Sequence, residues 1–184
     1  MARAAQIGHA ELSYLNPAEA NADYEFTTSC GDALAHWDRS LPGGVAGIVE
    51  KMIRDIRNRR PRVVVTMDPR DDPTGTKHGH HRAVGALAEL AAVLAADPTI
   101  GSGAPHTIEE LLAFAPKDGP ADVTLDVDPR ARLAMLRAHA SQFRPEDLAG
   151  PGSRPNEQLV IVWRAGGVTA PPEGSILATL LGPP

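Results

Sequence analysis

The chain has 184 residues, a length that suits one domain, and 42% apolar side chains, enough to bury a core although aromatics reach only 4%. Its 23 acidic and 18 basic side chains leave a net charge of -5, which excludes the basic surplus of a nucleic-acid binder. Cys30 is the single cysteine, so no internal disulfide can form and a reducing compartment is expected.

The opening residues, Met1 to His9, carry one early Arg but no apolar run, so they do not read as a signal peptide. They read as the end of a helix leading into a short strand over 10–15, which Asn16 and Pro17 stop. Residues 17–43 hold Cys30, Gly31, Pro42 and Gly43 and read as one long irregular stretch, either a site-lining loop or a poorly ordered one. Helical periodicity then begins. Val45, Ile48, Val49, Met52, Ile53 and Ile56 form one stripe, opposite Glu50, Lys51, Arg54, Asp55 and Arg57. The cationic run Arg57, Arg59 and Arg60 suits a solvated helix C-terminus, where it meets the negative end of the dipole, and Pro61 stops the helix. Val63, Val64, Val65 and Thr66 form a β-branched run of the kind buried in a parallel sheet.

After a loop over 68–79, a second helix is expected from His80 or His81 to Ala96, with Val84, Leu87, Ala88, Ala91 and Leu94 as its buried stripe. Its apolar run, 83–96, is interrupted by Glu89 and is too short to cross a bilayer, so a soluble cytoplasmic protein is expected. The Gly/Ser/Pro-rich connection 101–105 leads to 107–112, a short helix or an edge segment. Alternation over 123–127 predicts a strand. Asp128 and Pro129 then supply a helix cap and a first helical residue, for a helix over 129–142 that buries Leu133, Leu136 and Ala140. A last strand is expected over 159–163, and the Pro/Gly-rich tail 166–184 reads as irregular.

Helices and strands in alternation define an α/β fold, expected as a Rossmann-like three-layer αβα arrangement around a mainly parallel sheet. In such folds ligands sit beyond the carboxyl ends of the strands, which directs attention to the loop after Thr66. There His78, His80 and His81 fall within four residues, close in sequence to Asp68, Asp71 and Asp72. Imidazole and carboxylate are ligands of catalytic zinc. His78 and His81, three apart, can reach one center from a helix N-terminus, whereas adjacent His80 and His81 point in different directions. A solvated polar loop is the competing reading of the same residues.

Two segments carry a more specific signal. The first runs from Ile53 through the Val-rich strand and Asp68 to His78, Gly79, His80, His81 and Val84; the second is the helix around Leu133, His139, Ser141 and Gln142. In this order, they resemble the LmbE/PIG-L deacetylases, and the likeness extends over about residues 1–163. It implies a deacetylase domain over 1–165 that hydrolyses an acetamide to an amine and acetate with zinc. The implied substrate is a small N-acetylated sugar of the N-acetylglucosaminyl type or a glycoconjugate. By resemblance His81 is the metal ligand, His78 lies near the substrate carbonyl and stabilises the oxyanion, and Asp68 lines the pocket.

The sequence departs from that family in two respects. Position 80 usually holds Asp or Asn, and the family's His-Pro-Asp-Asp segment, which supplies two zinc ligands and a carboxylate general base, does not occur in these 184 residues. The zinc site is therefore expected to be incomplete and the domain N-terminally truncated relative to the family. A catalytically inactive sugar- or protein-binding remnant is the alternative. A substitute triad of His78, His81 and one of Asp68, Asp71 or Asp72 is a third option. Loss of a central strand would also expose unpaired edges and favor self-association into a homo-oligomer.

Blander readings hold elsewhere. His9 and Glu11 read as ordinary strand or surface residues, and His139 as a structural hydrogen-bonding group. Cys30 with His36 lacks an oxyanion-hole motif. Trp37 is a candidate for stacking on a sugar ring.

Overall fold

The computed structural model describes residues 29–70, 78–115, 120–138 and 156–165. These contain four helices and four strands: α1 Cys30–Ser40, α2 Gly44–Arg59, β1 Val63–Thr66, α3 Gly79–Ala96, β2 Glu110–Phe114, β3 Val123–Asp126, α4 Pro129–Ala138 and β4 Asn156–Arg164. The early strand expected over 10–15, the residues His9, Glu11, Asp71, Asp72, His139, Ala140, Ser141 and Gln142, and the tail 166–184 lie outside the described residues.

Helix α1 corrects the reading of 17–43 as one irregular stretch. Ser29 caps it by accepting from the Asp32 backbone N–H at 3.1 Å, and Asp32 sits in the first turn, where the helix dipole favors an anion. Cys30, Ala33 and Trp37 follow three and four apart and are buried on one face. The turn into α2 is closed by Asp38, whose carboxylate accepts from the Val45 N–H at 3.1 Å. Gly44 is required there: a Cβ would stand 2.4 Å from the Asp38 carboxylate oxygen. Helix α2 ends as expected, with Arg60 in the left-handed region (φ 50°) and Pro61 behind it.

Strand β1 and β2 run parallel, pairing Val63 with Glu110 and Thr66 with Ala113. Between them α3 crosses over and runs back along β1. At one end Gly85 lies against the Met67 carbonyl, and a Cβ there would come within 2.2 Å of that oxygen. At the other end the His106 N–H donates to the Ala95 carbonyl while its ring Nε2 donates to the Pro61 carbonyl at 2.8 Å. This is a β1–α3–β2 crossover between parallel strands, of which the sequence pattern anticipated β1 and α3 but not β2. The core gathers Trp37, Val49, Ile53, Ile56, Leu87, Ile108, Leu111, Val160 and Val162 around small alanines of α3.

The sheet order is β1-β2-β4-β3. It is mixed, not mainly parallel: β3 and β4 are antiparallel, with Val123 opposite Leu159 and Asp126 opposite Asn156. The segment 107–112, expected as a short helix or an edge, contributes instead to β2, which is interior to the sheet with Leu111, Leu112 and Ala113 all buried. Strand β1 is likewise not buried on both faces. Thr66 packs inward and Val64 adjoins the core, whereas Val63 and Val65 are 43% and 48% exposed. The β-branched run reports strand propensity, but which face is covered depends on distant residues.

The described residues fall into two compact units, the larger drawn from 29–70, 78–115, 120 and 160–165, the smaller from 121–138 with 156–159. In the larger, Ala165 donates to the Glu109 carbonyl at 2.8 Å and Arg164 pairs with Glu110 at 2.7 Å, placing the end of β4 beside the start of β2. In the smaller, Asp128 caps α4 through the Arg130 N–H at 2.9 Å, and Arg132 pairs with Glu157. Helix α4 has no buried residue within Pro129–Ala138. Leu133 and Leu136, expected inside, are half-buried.

Arg57 is the largest departure from the sequence reading. It is not a solvated cation but 5% exposed, and its guanidinium collects the carbonyls at the end of α3 and in the following loop. Nε donates to Ala95 at 3.0 Å, Nη2 to Leu94 at 3.3 Å and Asp97 at 2.6 Å, and Nη1 to Ser102 at 3.1 Å and Gly103 at 3.4 Å. A helix leaves its last carbonyls without partners, and a cation there also meets the negative dipole end. Arg57 serves both needs from a neighboring helix.

Candidate functional site

The three histidines sit where the sheet geometry leads a ligand to be sought. The contact of Gly85 with Met67 fixes α3 so that its first turn lies beyond the carboxyl end of β1. His78 is the N-cap of α3. Its Nδ1 accepts from the His80 backbone N–H at 3.3 Å, and its carbonyl accepts from the His81 N–H at 3.0 Å. Because Nδ1 is the acceptor, the neutral ring carries its proton on Nε2.

His80 points inward and is 6% exposed. Its Nδ1 lies 3.1 Å from Nδ1 of His78, and its ring meets Trp37 at 5.4 Å and His36, edge-on, at 6.4 Å between centroids. Trp37 is therefore a buried floor beneath His80, not an exposed platform for a sugar. Burial holds the His80 imidazole below its usual pKa, and the neighboring His78, His36 and His81 push it in the same direction. His81 points the other way and is exposed, with its ring 5.4 Å from that of His78. Partial desolvation first, then His78, lowers its pKa, which favors the neutral imidazole that a metal or a proton donor would meet.

Asp68 is buried where the chain leaves β1, but its carboxylate is engaged: Oδ1 accepts from the Arg70 N–H at 3.0 Å and Nε at 2.8 Å, and Oδ2 from Nη2 at 3.0 Å. The structure thus brings His78 and His81 together and gives Asp68 a local partner. Among the described residues no group of three His, Cys, Asp or Glu side chains is placed to hold a metal ion. Two further residues have site-like properties: the sequence reading weighed His36 only beside Cys30 and in the early loop, and named Glu89 only as a break in an apolar run. His36 joins the imidazole cluster from α1, signalled only by its place beside the buried Trp37 at helical spacing. Glu89 lies eight residues beyond His81, about 12 Å along α3. It is 3% exposed, and its Oε2 has no hydrogen-bond partner among the described residues. Burial pushes its carboxyl up to about 7.

Fold and site together define an α/β protein with an imidazole cluster at the carboxyl end of a parallel strand pair. No family model matches the chain. Over 75 residues it is 41% identical to 1D-myo-inositol 2-acetamido-2-deoxy-alpha-D-glucopyranoside deacetylase of Streptomyces griseus subsp. griseus. That match spans 41% of this chain and only 21% of the relative. The conserved protein TT1542 of Thermus thermophilus has a similar structure, with a TM-score of 0.56 at 20% identity, covering 92% of this chain and 74% of that one. GalB, the 4-carboxy-2-hydroxymuconate hydratase of Pseudomonas putida KT2440, aligns with a TM-score of 0.45 at 15% identity, over 89% of this chain and 70% of that one. No helix among the described residues is long and apolar enough to cross a membrane.

Proposed function

We propose that the chain belongs to a zinc-dependent N-acyl deacetylase of the LmbE/PIG-L type, hydrolysing the acetamide of a small N-acetylglucosaminyl compound to an amine and acetate. The observation that carries this reading is the arrangement of His78 and His81 at the start of α3, their rings 5.4 Å apart, in a chain partly similar to a sugar deacetylase. His78 contributes an Nε2–H that can donate to the acyl oxygen as negative charge develops on it, a preorganised donor that needs no rearrangement during reaction. The α3 cap, which occupies Nδ1, keeps that proton on the far nitrogen. His81 is the metal ligand that this chain supplies. The described residues do not complete a metal site, so the remaining donors of the proposal lie outside them. Asp68, held by Arg70, shapes the rim of the pocket.

The test is zinc content together with acetate release. The full chain, equilibrated with zinc and dialysed, is analysed for bound metal and assayed with an N-acetylated glucosaminyl inositol. Bound zinc that is lost in His81→Ala, with acetate release falling at least 100-fold in the same variant, is the expected result. Folded protein that binds no zinc and releases no acetate, yet retains the sugar in a binding assay, would establish the inactive remnant instead.

A further inference from the structure

Asp68 and Arg70 form an ion pair whose partners are unequally placed: the carboxylate side chain is 5% exposed and the guanidinium side chain 37%. Oδ1 accepts from the Arg70 backbone N–H at 3.0 Å and from Nε at 2.8 Å, and Oδ2 accepts from Nη2 at 3.0 Å. A guanidinium is a rigid planar fork, so fixing the edge that carries Nε and Nη2 also fixes the direction of the opposite edge. The buried carboxylate is the anchor, and the cation is what the pair presents to solvent. The pair stands beside the histidine turn. A Cβ on Gly85 would lie 2.2 Å from the Met67 carbonyl oxygen and 3.0 Å from the Pro69 nitrogen, so residues 67–69 cross α3 at Gly85. His81 is four residues earlier on the same side of the helix, about 6 Å along its axis, and is exposed. Arg70 follows Pro69 directly, so its reach covers the turn between His81 and Gly85.

The charge around the fork selects its ligand. Asp68 balances the guanidinium, and the next two residues in sequence are Asp71 and Asp72, so 68–72 sets one cation against three carboxylates. An anionic group arriving here meets like charge, whereas a hydroxyl oxygen accepts from the fork without that cost. We propose that Arg70 is a specificity-determining residue, positioned by Asp68, whose outer edge donates to neighboring hydroxyls of the substrate's sugar or polyol part. The ligand class is a neutral polyol, not a phosphorylated or carboxylated compound. The assignment rests on the reading of the histidine turn as the place where an N-acetylated sugar binds. Hydrogen bonds from a charged donor are worth about 10–100-fold in affinity. Asn at position 68 keeps an acceptor for the fork but withdraws the balancing charge, which turns the same edge toward anions.

The experiment compares the full chain with Arg70→Lys, Arg70→Gln and Asp68→Asn, each checked for folding by circular dichroism, with the distant Arg54→Gln as control. Two probes are used: an N-acetylglucosaminyl inositol and the same compound with a phosphate on its inositol ring. KM and kcat are read where acetate is released, and Kd by titration calorimetry where it is not. Arg70→Lys keeps the charge but loses the fork, and it and Arg70→Gln are expected to raise KM or Kd for the neutral probe about 10–100-fold. Where there is turnover, kcat stays within about threefold, the mark of lost binding that ground state and transition state share. Arg54→Gln leaves both within about twofold. The parent is expected to bind the phosphorylated probe no more tightly than the neutral one, and Asp68→Asn to reverse that order. Unchanged affinity in folded Arg70→Gln, tighter binding of the phosphorylated probe by the parent, or no binding of the neutral probe by the parent would overturn the proposal. Should Arg70→Gln fail to fold, Arg70→Lys and the parent's preference between the two probes decide. Affinity that falls in Arg70→Gln while no form releases acetate refutes the deacetylase reading and leaves the polyol site standing.

Discussion

Replacing Arg57 by Met removes a buried cation while keeping most of the apolar stem, and its cost follows from where the five carbonyls sit. Leu94 and Ala95 lie in the last turn of α3, and each carbonyl also accepts one backbone N–H, from Asp97 at 3.2 Å and His106 at 2.9 Å, so Arg57 supplies a second donor; Ala95 is fully buried. Asp97, Ser102 and Gly103 are in the connection that follows, where water can replace part of the loss. A hydrogen bond to a charged group contributes about 1.5–3 kcal/mol net, but five bonds from one guanidinium do not add. Because the buried carbonyls keep those backbone donors and the loop carbonyls can turn to water, the loss is about 2–3 kcal/mol, still a large fraction of the stability of a small domain. Arg57→Lys keeps the charge but cannot fork toward both the helix end and the loop, so about half of that loss is expected. The measurement is urea unfolding followed by far-UV circular dichroism, with Arg54→Met as control. Arg54 pairs with Glu50 at 3.3 Å on an exposed helix face, and its removal should cost no more than about 0.5 kcal/mol. If Arg57→Met and Arg54→Met unfold at the same urea concentration, the guanidinium does not anchor α3 and the reasoning fails.

Glu89 makes stability fall as pH rises. Its folded-state pKa of about 7 stands above the ordinary 4.5, so its contribution is fully present below the lower value and is lost as pH passes the higher one. The effect amounts to about 2–3 kcal/mol across that window. Glu89→Gln should flatten the curve of urea midpoint against pH, and a curve parallel to the parent's would refute the assignment. Gly85→Ala forces a methyl onto the Met67 carbonyl, so α3 must move off β1 at the end that carries the histidines. A destabilisation of about 2–4 kcal/mol is expected by thermal melting, and a melt within about 1 °C of the parent would show that the close approach is not required.

The elements with strong local signals were legible in sequence. Helix α2 follows from its apolar stripe and Pro61, and α3 from its run of alanines and leucines. The start of α4 follows from Asp128 and Pro129, which act within one turn of themselves. Helix α1 was missed although its cap Ser29 and its triplet Cys30, Ala33 and Trp37 were in view, because the flanking Pro and Gly residues read as loop. The placement of His78 and His81 at the end of β1 was also anticipated, because a strand followed by a helix turns its chain at that end of the sheet.

What sequence alone determined, then, is α2, β1, α3, the start of α4 and the position of the histidine-bearing turn, since short-range periodicity and capping set these. Tertiary structure decided which side chains face each other. Arg57 meets carbonyls 37 to 46 residues away, and His80 is held by Trp37 across 43 positions. Val63 and Val65 remain exposed although their neighbors Val64 and Thr66 do not, and β2 lies inside the sheet although its sequence read as a short helix or an edge segment. Burial and hydrogen-bond partnership are properties of residues brought together from afar, and no local pattern encodes which distant surface will arrive.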